Sequence, residues 1–424
     1  MSQELHNVAC TGCGCVCDDL RVTVSENKIQ SFSPPCPVAE RWFAQANASD
    51  APLATLHGQP CSLDDAIKHA AELLRTARSP LLYGLAGSST PGQRAAVELA
   101  DRLGATIDTS ASTCHGPSIL ALQQVGESTC TLGEIKNRAD LVVYWGSNPA
   151  KTHPRHMERY ALDPCGMFVP GGRKDRTLVV VDKIPTATTA VADIFLQVQP
   201  DSSFEILWTL RALLRGLPIT AKTVGGIALE VLTDLVQRLR SCKYGVFFFG
   251  RGLTLGTNGH ASVAALLSLT RELNAVTRFH ARRMRVYGDV AGADAVLCWQ
   301  TGFPFSVNLA RGFPRYGPGE YSAPQMLARG ETDACLLVGS EGVATFAPAA
   351  VATLQRIPTI ALDHPHAALP FVPHVRFTTS RYGIHAAGTA YRMDEVPIPL
   401  RPLIASPWPT DAEILQRISQ QLQS

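Results

Sequence analysis

The stretch LVVYWGSNP, residues 141–149, carries five apolar side chains in a row and then turns through glycine, serine, asparagine and proline. A short apolar run bounded by such a turn is typical of a strand buried on both faces of a parallel sheet. Comparable apolar runs recur along the chain at 81–83, 177–181, 246–249, 295–299, 335–338 and 359–362. Because amphipathic helical segments alternate with these runs, the sequence predicts an α/β fold with doubly wound parallel sheets.

Glycine or aspartate follows most of these predicted strands, as at Gly84, Gly146, Asp182, Gly250 and Gly339. In open α/β sheets, ligands bind at the carboxyl ends of the strands, where these residues lie. One glycine after a strand more often serves the turn itself than a phosphate group. Their repetition nevertheless predicts a nucleotide-sized ligand, present or ancestral, at the edge of the sheet.

Length, charge and hydropathy limit the number of domains and the kinds of partner that we expect. The chain has 424 residues, and at about 150 residues per domain this length predicts two or three domains. The net charge is +2 and 17% of the residues are charged, so nothing favours nucleic acid or an anionic membrane as a partner. The polar start of the chain and the lack of a membrane-length apolar run lead us to expect a cytoplasmic protein.

Four cysteines form the first candidate site. Cys10, Cys13 and Cys17 follow the spacing Cys-x2-Cys-x3-Cys, and Cys36 stands further on, before a proline. In a reducing compartment such cysteines are thiols or metal ligands rather than disulfides. Short spacings let thiolates converge on one face of an iron–sulfur cube that a distant cysteine closes, so we expect a [4Fe-4S] cluster. Tetrahedral zinc and free thiols are the alternatives, and Cys15 is an additional thiol beside the set.

Cys114 and His115 form the second candidate site. They follow a predicted strand and precede a helix that we expect to begin near Ser118. The pKa of a thiol at a helix start is lowered, which suits a nucleophile or a metal ligand, and a neighbouring imidazole can carry protons. A purely structural role for the pair is the alternative.

Basic side chains form two further clusters. Arg282, Arg283 and Arg285 precede Asp289, and such a group can hold an anion through bidentate contacts, although a solvated face fits the charge pattern equally well. A second basic segment, residues 153–159, follows the turn that ends LVVYWGSNP and suits a pyrophosphate. Its histidines could as easily be capping residues.

Taken in order, these motifs resemble the molybdopterin-dependent oxidoreductases of the formate dehydrogenase type. Four further stretches resemble the B subunit of formylmethanofuran dehydrogenase: TLGEIKNR at 131–138, WQTGFPF at 299–305, RGFPRY at 311–316 and GTAYRMD at 388–394. The resemblance covers nearly the whole chain. It implies two doubly wound parallel-sheet domains, a small N-terminal cysteine-rich β domain and no C-terminal β-barrel domain.

The resemblance also implies domain limits and roles for residues. We expect a cysteine-rich domain at 1–55, a discontinuous α/β domain at 56–138 and 298–424, and a second α/β domain at 139–297. Cys10, Cys13, Cys17 and Cys36 would hold the iron–sulfur cluster. Cys114 would be the ligand of the catalytic metal, His115 the proton carrier and Arg285 the anion holder. The residues that would line a pterin nucleotide are Gly146, Ser147, Asn148, Asp182 and Thr186.

The family is known in two settings. In methanogens, the B subunit holds a tungsten or molybdenum bis-pterin and a four-iron cluster, and it reduces carbon dioxide to formate. In methylotrophic bacteria, a homologous subunit belongs to a formyltransferase/hydrolase complex, which moves a formyl group between carriers and releases formate without electron transfer. Either setting implies other subunits, of the A, C and D types, as partners.

Two features of the sequence decide our expectation between these settings. Asp289 adds negative charge beside a strongly anionic ligand, and a repulsion at about 4 Å costs about 4 kcal/mol at an effective dielectric near 20, which argues against a bound tungstopterin or molybdopterin. The chain has 30 arginines and 8 lysines, a usage that points to the bacterial setting. We therefore expect a structural, non-redox subunit of a formyltransferase/hydrolase complex, with a redox-active tungsten or molybdenum subunit as the alternative.

Overall fold

A computed structural model describes residues 2–47, 50–286 and 288–423, with only the backbone of Glu341. The strands in these ranges are β1 Gln3–Cys10, β2 Cys17–Ser25, β3 Lys28–Ser33, β4 Ala54–Leu56, β5 Gln59–Cys61, β6 Pro80–Gly84, β7 Thr106–Thr109, β8 Leu141–Trp145, β9 Thr177–Asp182, β10 Ile194–Gln197, β11 Thr223–Val224, β12 Ile227–Ala228, β13 Tyr244–Phe249, β14 Arg278–Arg283, β15 Val307–Asn308, β16 Arg315–Tyr316, β17 Ala334–Val338, β18 Thr359–Asp363, β19 Val375–Thr378, β20 Gly388–Tyr391 and β21 Pro397–Leu400.

The α-helices in the same ranges are α1 Pro37–Ala44, α2 Leu63–Thr76, α3 Thr90–Leu103, α4 Gly116–Val125, α5 Leu132–Arg138, α6 Pro149–Thr152, α7 Ser203–Leu214, α8 Leu229–Ser241, α9 Arg251–Thr254, α10 Gly259–Leu273, α11 Val290–Thr301, α12 Ala323–Arg329, α13 Pro348–Arg356 and α14 Asp411–Gln421. Among the helices described, none is both long and apolar enough to cross a membrane.

The chain divides into two units. The first unit contains Met1–Thr113 and Tyr287–Ser424, and the second unit contains Cys114–Val286. These limits lie at 113/114 and 286/287, whereas the sequence leads us to expect 138/139 and 297/298. The reason is local packing, because α4 packs against α10 of the second unit and α11 packs against α3 of the first.

The second unit is built on a five-stranded sheet in the order β10-β9-β8-β13-β14. Every neighbouring pair in it is parallel. Helices α4, α7, α8 and α10 cover one face, and Trp145, Phe247 and Phe279 lie in the core beneath them. The stretch LVVYWGSNP thus provides strand β8, the central strand of this sheet, and the turn after it.

The first unit contains a nine-stranded mixed sheet in the order β16-β15-β7-β6-β17-β18-β19-β4-β5. Its five central strands, β7 to β19 in that order, are parallel, and antiparallel pairs close both edges. Alternate residues of the central strands face opposite layers. Leu82 and Leu336 pack with α2, α3, α11 and α14, whereas Leu81 and Leu337 pack with α12 and α13.

The cysteine-rich start of the chain forms an antiparallel sheet in the order β1-β2-β3. Its apolar face packs on the hairpin of β20 and β21, where Ala9 and Val16 meet Tyr382 and Leu400. The first unit therefore contains both the predicted cluster ligands and an α/β layer.

One predicted strand is wrong. The apolar run 295–299 lies inside helix α11, which begins where the Asp289 carboxylate accepts a hydrogen bond from the Gly292 amide. Val296 and Leu297 face the core while Trp299 is exposed. Short apolar runs do not separate a strand from one face of a buried helix, which is the ambiguity that caused the error.

Candidate functional site

The four predicted cluster cysteines are all buried, and the hairpin of β1 and β2 positions three of them. Cys10 and Cys17 are paired across the antiparallel ladder. Cys13 lies in the turn between them, where its carbonyl oxygen accepts the Val16 amide at 3.1 Å. Cys36 is the residue before α1 and its carbonyl accepts the Glu40 amide at 2.8 Å.

The electrostatics indicate that these thiols converge. Burial raises the pKa of Cys10, and the neighbouring Cys13, Cys17 and Cys36 raise it further. Burial also raises the pKa of Cys36, against the opposing amides of α1. Within the described ranges, no three His, Cys, Asp or Glu side chains are grouped closely enough to hold a metal ion. The assignment of these thiols to an iron–sulfur cluster rather than to zinc stays a prediction.

Cys15 is a fifth thiol in the same hairpin, and its side chain is 1% exposed. Its pKa is raised chiefly by hydrogen bonds with Cys13 and Cys17 and then by burial. Cys15 therefore lies against two of the predicted ligands.

The predicted nucleotide-binding residues lie at the carboxyl ends of β8 and β9. Trp145 and Val181 are partners in the parallel ladder, and the Gly146 amide donates to the Val181 carbonyl at 2.9 Å. A Cβ on Gly146 would lie 2.7 Å from the backbone of Gly252, so only glycine allows this close approach. Asp182 ends the neighbouring strand, and its pKa is raised by burial.

Local hydrogen bonds fix the loops that carry the other predicted nucleotide-binding residues. Ser147 is buried in the turn after β8. The Asn148 amide oxygen accepts the Thr188 hydroxyl at 2.7 Å. Thr186 and Thr189 share three hydrogen bonds between side chain and backbone, at 2.8, 2.8 and 3.2 Å. The structure thus places Asp182 at the end of β9 and the other four residues on the loops that follow β8 and β9.

Cys114 and His115 lie at the start of the second unit, immediately before α4. The Cys114 carbonyl accepts the Thr254 hydroxyl at 3.2 Å, and the His115 carbonyl accepts the Ser118 hydroxyl at 2.8 Å. The His115 ring is completely buried, yet neither ring nitrogen has a partner at hydrogen-bond distance and angle among the described residues. A buried imidazole without partners is costly, so it fits a site that a bound group completes.

The surroundings of His115 are strongly positive. Burial lowers the pKa of His115 well below its usual value, and Arg285, Arg283 and Arg251 lower it further, while the Met284 backbone opposes this only in part. Arg282 and Arg283 end β14, and Arg285 is 4% exposed. His115 is therefore neutral near pH 7 and able to accept a proton.

Two contacts arrange these arginines. Arg283 is paired with the Glu127 carboxylate at 3.0 Å, and both side chains are nearly buried. The Arg285 carbonyl lies 2.6 Å from His153 Nε2. The structure thus brings together Cys114, His115 and Arg285 as elements of the second unit.

Three side chains of the basic segment at 153–159 are engaged by contacts within the protein, and the pyrophosphate site that its sequence suggests stays a prediction. Burial lowers the pKa of His153 to about 4 and that of His156 to about 3, so both rings are neutral. His156 is bonded to the Tyr144 hydroxyl at 2.8 Å. Arg155 is paired with Glu158 at 3.2 Å. These contacts stabilise the loop that follows β8.

Asp289 does not offer the free negative charge that we expect from the sequence. It belongs to the first unit, where its oxygens accept the Tyr391 amide at 2.6 Å, the Gln93 side chain at 2.9 Å and the Gly292 amide at 3.1 Å. Burial raises the pKa of Asp289 to about 8, with a smaller contribution from Asp294. The argument against a bound anionic cofactor assumed that Asp289 carries a free negative charge, and that assumption does not hold.

A cavity of about 200 Å³ lies at the strand ends of the first unit. Gly84, Ser110 and Gly339 line it from β6, β7 and β17, and His364 and Arg381 from the segments after β18 and β19. Burial lowers the pKa of His364 to about 3, and Arg381 contributes to this. Each unit thus has polar groups at its carboxyl edge, as the repeated turns predict.

Sequence reasoning missed Arg251 and Thr254, which form the ends of the one-turn helix α9. Their signal was present in the GRGLT sequence after the apolar run 246–249. What the sequence could not supply is the strand order, which puts β13 between β8 and β14.

No family model matches the chain. It is 38% identical over 414 residues to the B subunit of the tungsten-containing formylmethanofuran dehydrogenase 2 of Methanocaldococcus jannaschii, over 96% of this chain and 95% of that protein. It is 28% identical over 291 residues to the B subunit of the formyltransferase/hydrolase complex Fhc of Methylorubrum extorquens, over 68% of this chain and 74% of that protein.

Solved structures support the fold. The formyltransferase/hydrolase complex FhcABCD of Methylorubrum extorquens, crystallised with methylofuran, matches with a TM-score of 0.73 and 25% identity, over 87% of this chain and 98% of that one. Acetylene hydratase of Pelobacter acetylenicus matches with a TM-score of 0.74 over 99% of this chain and 69% of that one, and at 10% identity it bears on the fold alone. The predicted α/β fold is confirmed, whereas the absence of a β-barrel domain stays a prediction.

Proposed function

This chain belongs to the family of formylmethanofuran dehydrogenase B subunits, and from that premise we propose that it is the redox subunit of a complex that interconverts carbon dioxide and formate. One observation carries the proposal. The buried His115 ring, which lacks hydrogen-bond partners among the described residues, adjoins Cys114 within a positively charged site. Such a site suits an anionic substrate and a bound metal group. Relatives at 36% and 38% identity also point this way, since they are tungsten-containing.

The residues fit the cofactors of such an enzyme. Cys114 would bind the metal, and Gly146, Ser147, Asn148, Asp182 and Thr186 would line the pterin nucleotide at the ends of β8 and β9. Cys10, Cys13 and Cys17 of the N-terminal hairpin, together with Cys36 before α1, would hold a [4Fe-4S] cluster. These groups would supply two-electron redox chemistry for formate oxidation and one-electron transfer away from the site.

The side chains of the chain itself bind the substrate and move its proton. Arg285 suits a carboxylate, because a guanidinium fork matches its two oxygens. Oxidation of formate to carbon dioxide releases one proton and two electrons. His115 is neutral near pH 7 because its pKa is lowered, and an anionic substrate beside the ring would raise that pKa and let the ring take up the proton.

The second candidate function is the structural, non-redox role that we expect from the arginine-rich composition. One observation favours it, namely the match to FhcABCD over 98% of the compared chain. In either role we propose that the chain works in a cytoplasmic complex with subunits of the A, C and D types, with formate as a shared product or substrate.

Metal analysis of the complex tests the proposal. The complex would be purified anaerobically from its native host, and tungsten, molybdenum and iron would be measured by plasma mass spectrometry. We expect about one tungsten or molybdenum and at least four irons per copy of this chain, together with formate-dependent reduction of a viologen dye. Formate release from a formyl carrier by a complex that contains neither tungsten nor molybdenum would instead establish the non-redox role.

A further inference from the structure

Arg251 and Arg285 each follow the end of one of two neighbouring strands, β13 and β14. In the parallel ladder of β13 and β14, Phe249 is paired with Arg283, and the Met284 amide continues the ladder to the Phe249 carbonyl at 2.9 Å. Arg251 lies two residues beyond Phe249, and Arg285 lies two residues beyond Arg283. Neighbouring strands are about 4.8 Å apart, so both arginines leave the same edge of the sheet side by side.

Helix α9 attaches Arg251 to the candidate site. At its start, the Gly252 amide donates to the Gly146 carbonyl at 2.9 Å. At its end, the Thr254 hydroxyl donates to the Cys114 carbonyl at 3.2 Å. Arg251 is therefore held between the loop after β8 and the predicted metal ligand.

The charge of Arg251 is not neutralised by the protein. Its side chain is exposed, and within the described part of the chain it has no acidic partner. Arg283, by contrast, is paired with Glu127. The Arg251 guanidinium lies close enough to His115 to act electrostatically on its ring.

We propose that Arg251 is a second substrate-binding residue, which together with Arg285 binds small carboxylate anions such as formate. The inference rests on the proposed site, and formate binding can be compared between variants whether or not the complex proves to be redox-active. The Arg251 guanidinium, at the open edge of the site, would attract the anion and bind one carboxylate oxygen while Arg285 binds the other. The competing assignment, that Arg251 binds a phosphate of the pterin nucleotide, is an outcome of the test.

The test compares Arg251→Ala, Arg251→Lys and a control, Arg240→Ala, in the whole complex. Arg240 is an exposed arginine near the carboxyl end of α8. It precedes the start of β13, whereas Arg251 follows the end of that strand. Binding of ¹³C-labelled formate would be measured by NMR line broadening on the complex as purified, and tungsten would be measured in the same samples. In complexes that reduce viologen, the KM for formate and kcat would be measured as well.

We expect Arg251→Ala to weaken formate binding about tenfold, which corresponds to about 1.4 kcal/mol, and to raise KM similarly with kcat and tungsten unchanged. The formate affinity of Arg251→Lys should lie between those of Arg251→Ala and the wild type. Arg240→Ala should match the wild type. Unchanged formate binding in Arg251→Ala would overturn the proposal. Loss of tungsten with unchanged formate binding would also overturn it and assign Arg251 to the cofactor. A wild-type complex without tungsten would refute the redox role alone. Formate binding by the Arg251 variants and the wild type could still be compared in that complex.

Discussion

The Nε2 atom of His153 lies 2.6 Å from the carbonyl oxygen of Arg285. Since a carbonyl only accepts, Nε2 carries the proton, and the other ring nitrogen accepts the Thr152 hydroxyl at 2.8 Å. The loop after β8 thus fixes the backbone of the residue that we propose to bind formate. His153 is a positioning residue because it acts through Arg285.

Replacement of His153 by leucine should loosen this loop. The change leaves the buried Arg285 carbonyl without its donor, which typically costs about 1–3 kcal/mol of unfolding free energy. We expect a lower melting temperature and weaker formate binding with little change in kcat. Thermal scans and formate titrations would measure this. His260→Leu, at an exposed histidine of α10, is the control, and equal effects of both substitutions would contradict the positioning role.

Buried histidines should make the fold sensitive to mild acid. The pKa of His153 is lowered to about 4 and that of His156 to about 3, whereas unfolded histidine titrates near 6.5. Between about pH 6.5 and pH 4 the unfolded state binds more protons, so stability falls as pH falls, by up to about 1.4 kcal/mol per pH unit for each ring. Denaturant unfolding at pH 7.5, 6 and 5 should show this slope. The slope should be smaller in His153→Leu, and an identical slope in that variant would refute the assignment.

The cysteine hairpin yields a prediction about iron. Cys36→Ala removes a proposed ligand from the start of α1, so iron content should fall and the melting temperature should drop, because metal binding and folding are coupled there. Cys15→Ala is the control, since Cys15 is also buried and lies in the hairpin of β1 and β2 but is not a proposed ligand. The readouts are iron analysis and the electron paramagnetic resonance spectrum of the reduced cluster. Full iron content in Cys36→Ala would refute the assignment of Cys36.

Asp289 yields a prediction about alkaline pH. Its pKa is raised to about 8 by burial, against about 3.9 in unfolded chains. Between about pH 4 and pH 8 the native state therefore binds more protons, and stability falls as pH rises through this range. Asp289→Asn should lack this loss, and a flipped Gln93 amide can accept its new N–H because Gln93 Oε1 has no partner among the described residues.

The measurement for Asp289 is the difference in unfolding free energy between Asp289→Asn and the wild type. This difference should move in favour of the variant as pH rises from 5 to 8 and level off above that. Asp101→Asn, at an exposed aspartate of α3, should show no such trend. A pH-independent difference for Asp289→Asn would mean that Asp289 is already ionised in the folded protein at pH 5.

Local sequence signals predicted much of the fold. Serine before a helical segment is a typical N-cap, and the Ser62 hydroxyl at the start of α2 does accept the Asp65 amide at 3.1 Å. The run 141–145 forms a fully buried strand. Strand β14 escaped prediction, because Arg278–Arg283 is rich in arginine, and a charged strand at a sheet edge looks like a solvated basic segment.

The candidate site was predicted only in its parts. Cys114, His115 and Arg285 were found by their chemistry and by the family resemblance. Arg251 depends on strand order and His153 on a contact between residues 132 positions apart, so neither role is visible in a linear pattern. Asp289 was misjudged because its three hydrogen bonds come from separate parts of the chain.

The redox role of this chain is tested most directly by formate-dependent viologen reduction in the complete complex that carries Cys114→Ala. Cys165→Ala, at an exposed cysteine of the second unit, is the control, and gel filtration would establish that both complexes remain assembled. We predict that Cys114→Ala lowers viologen reduction at least a thousandfold, while Cys165→Ala keeps the wild-type rate. Equal rates in the two variants would contradict a role for Cys114 at the metal and with it our account of the site.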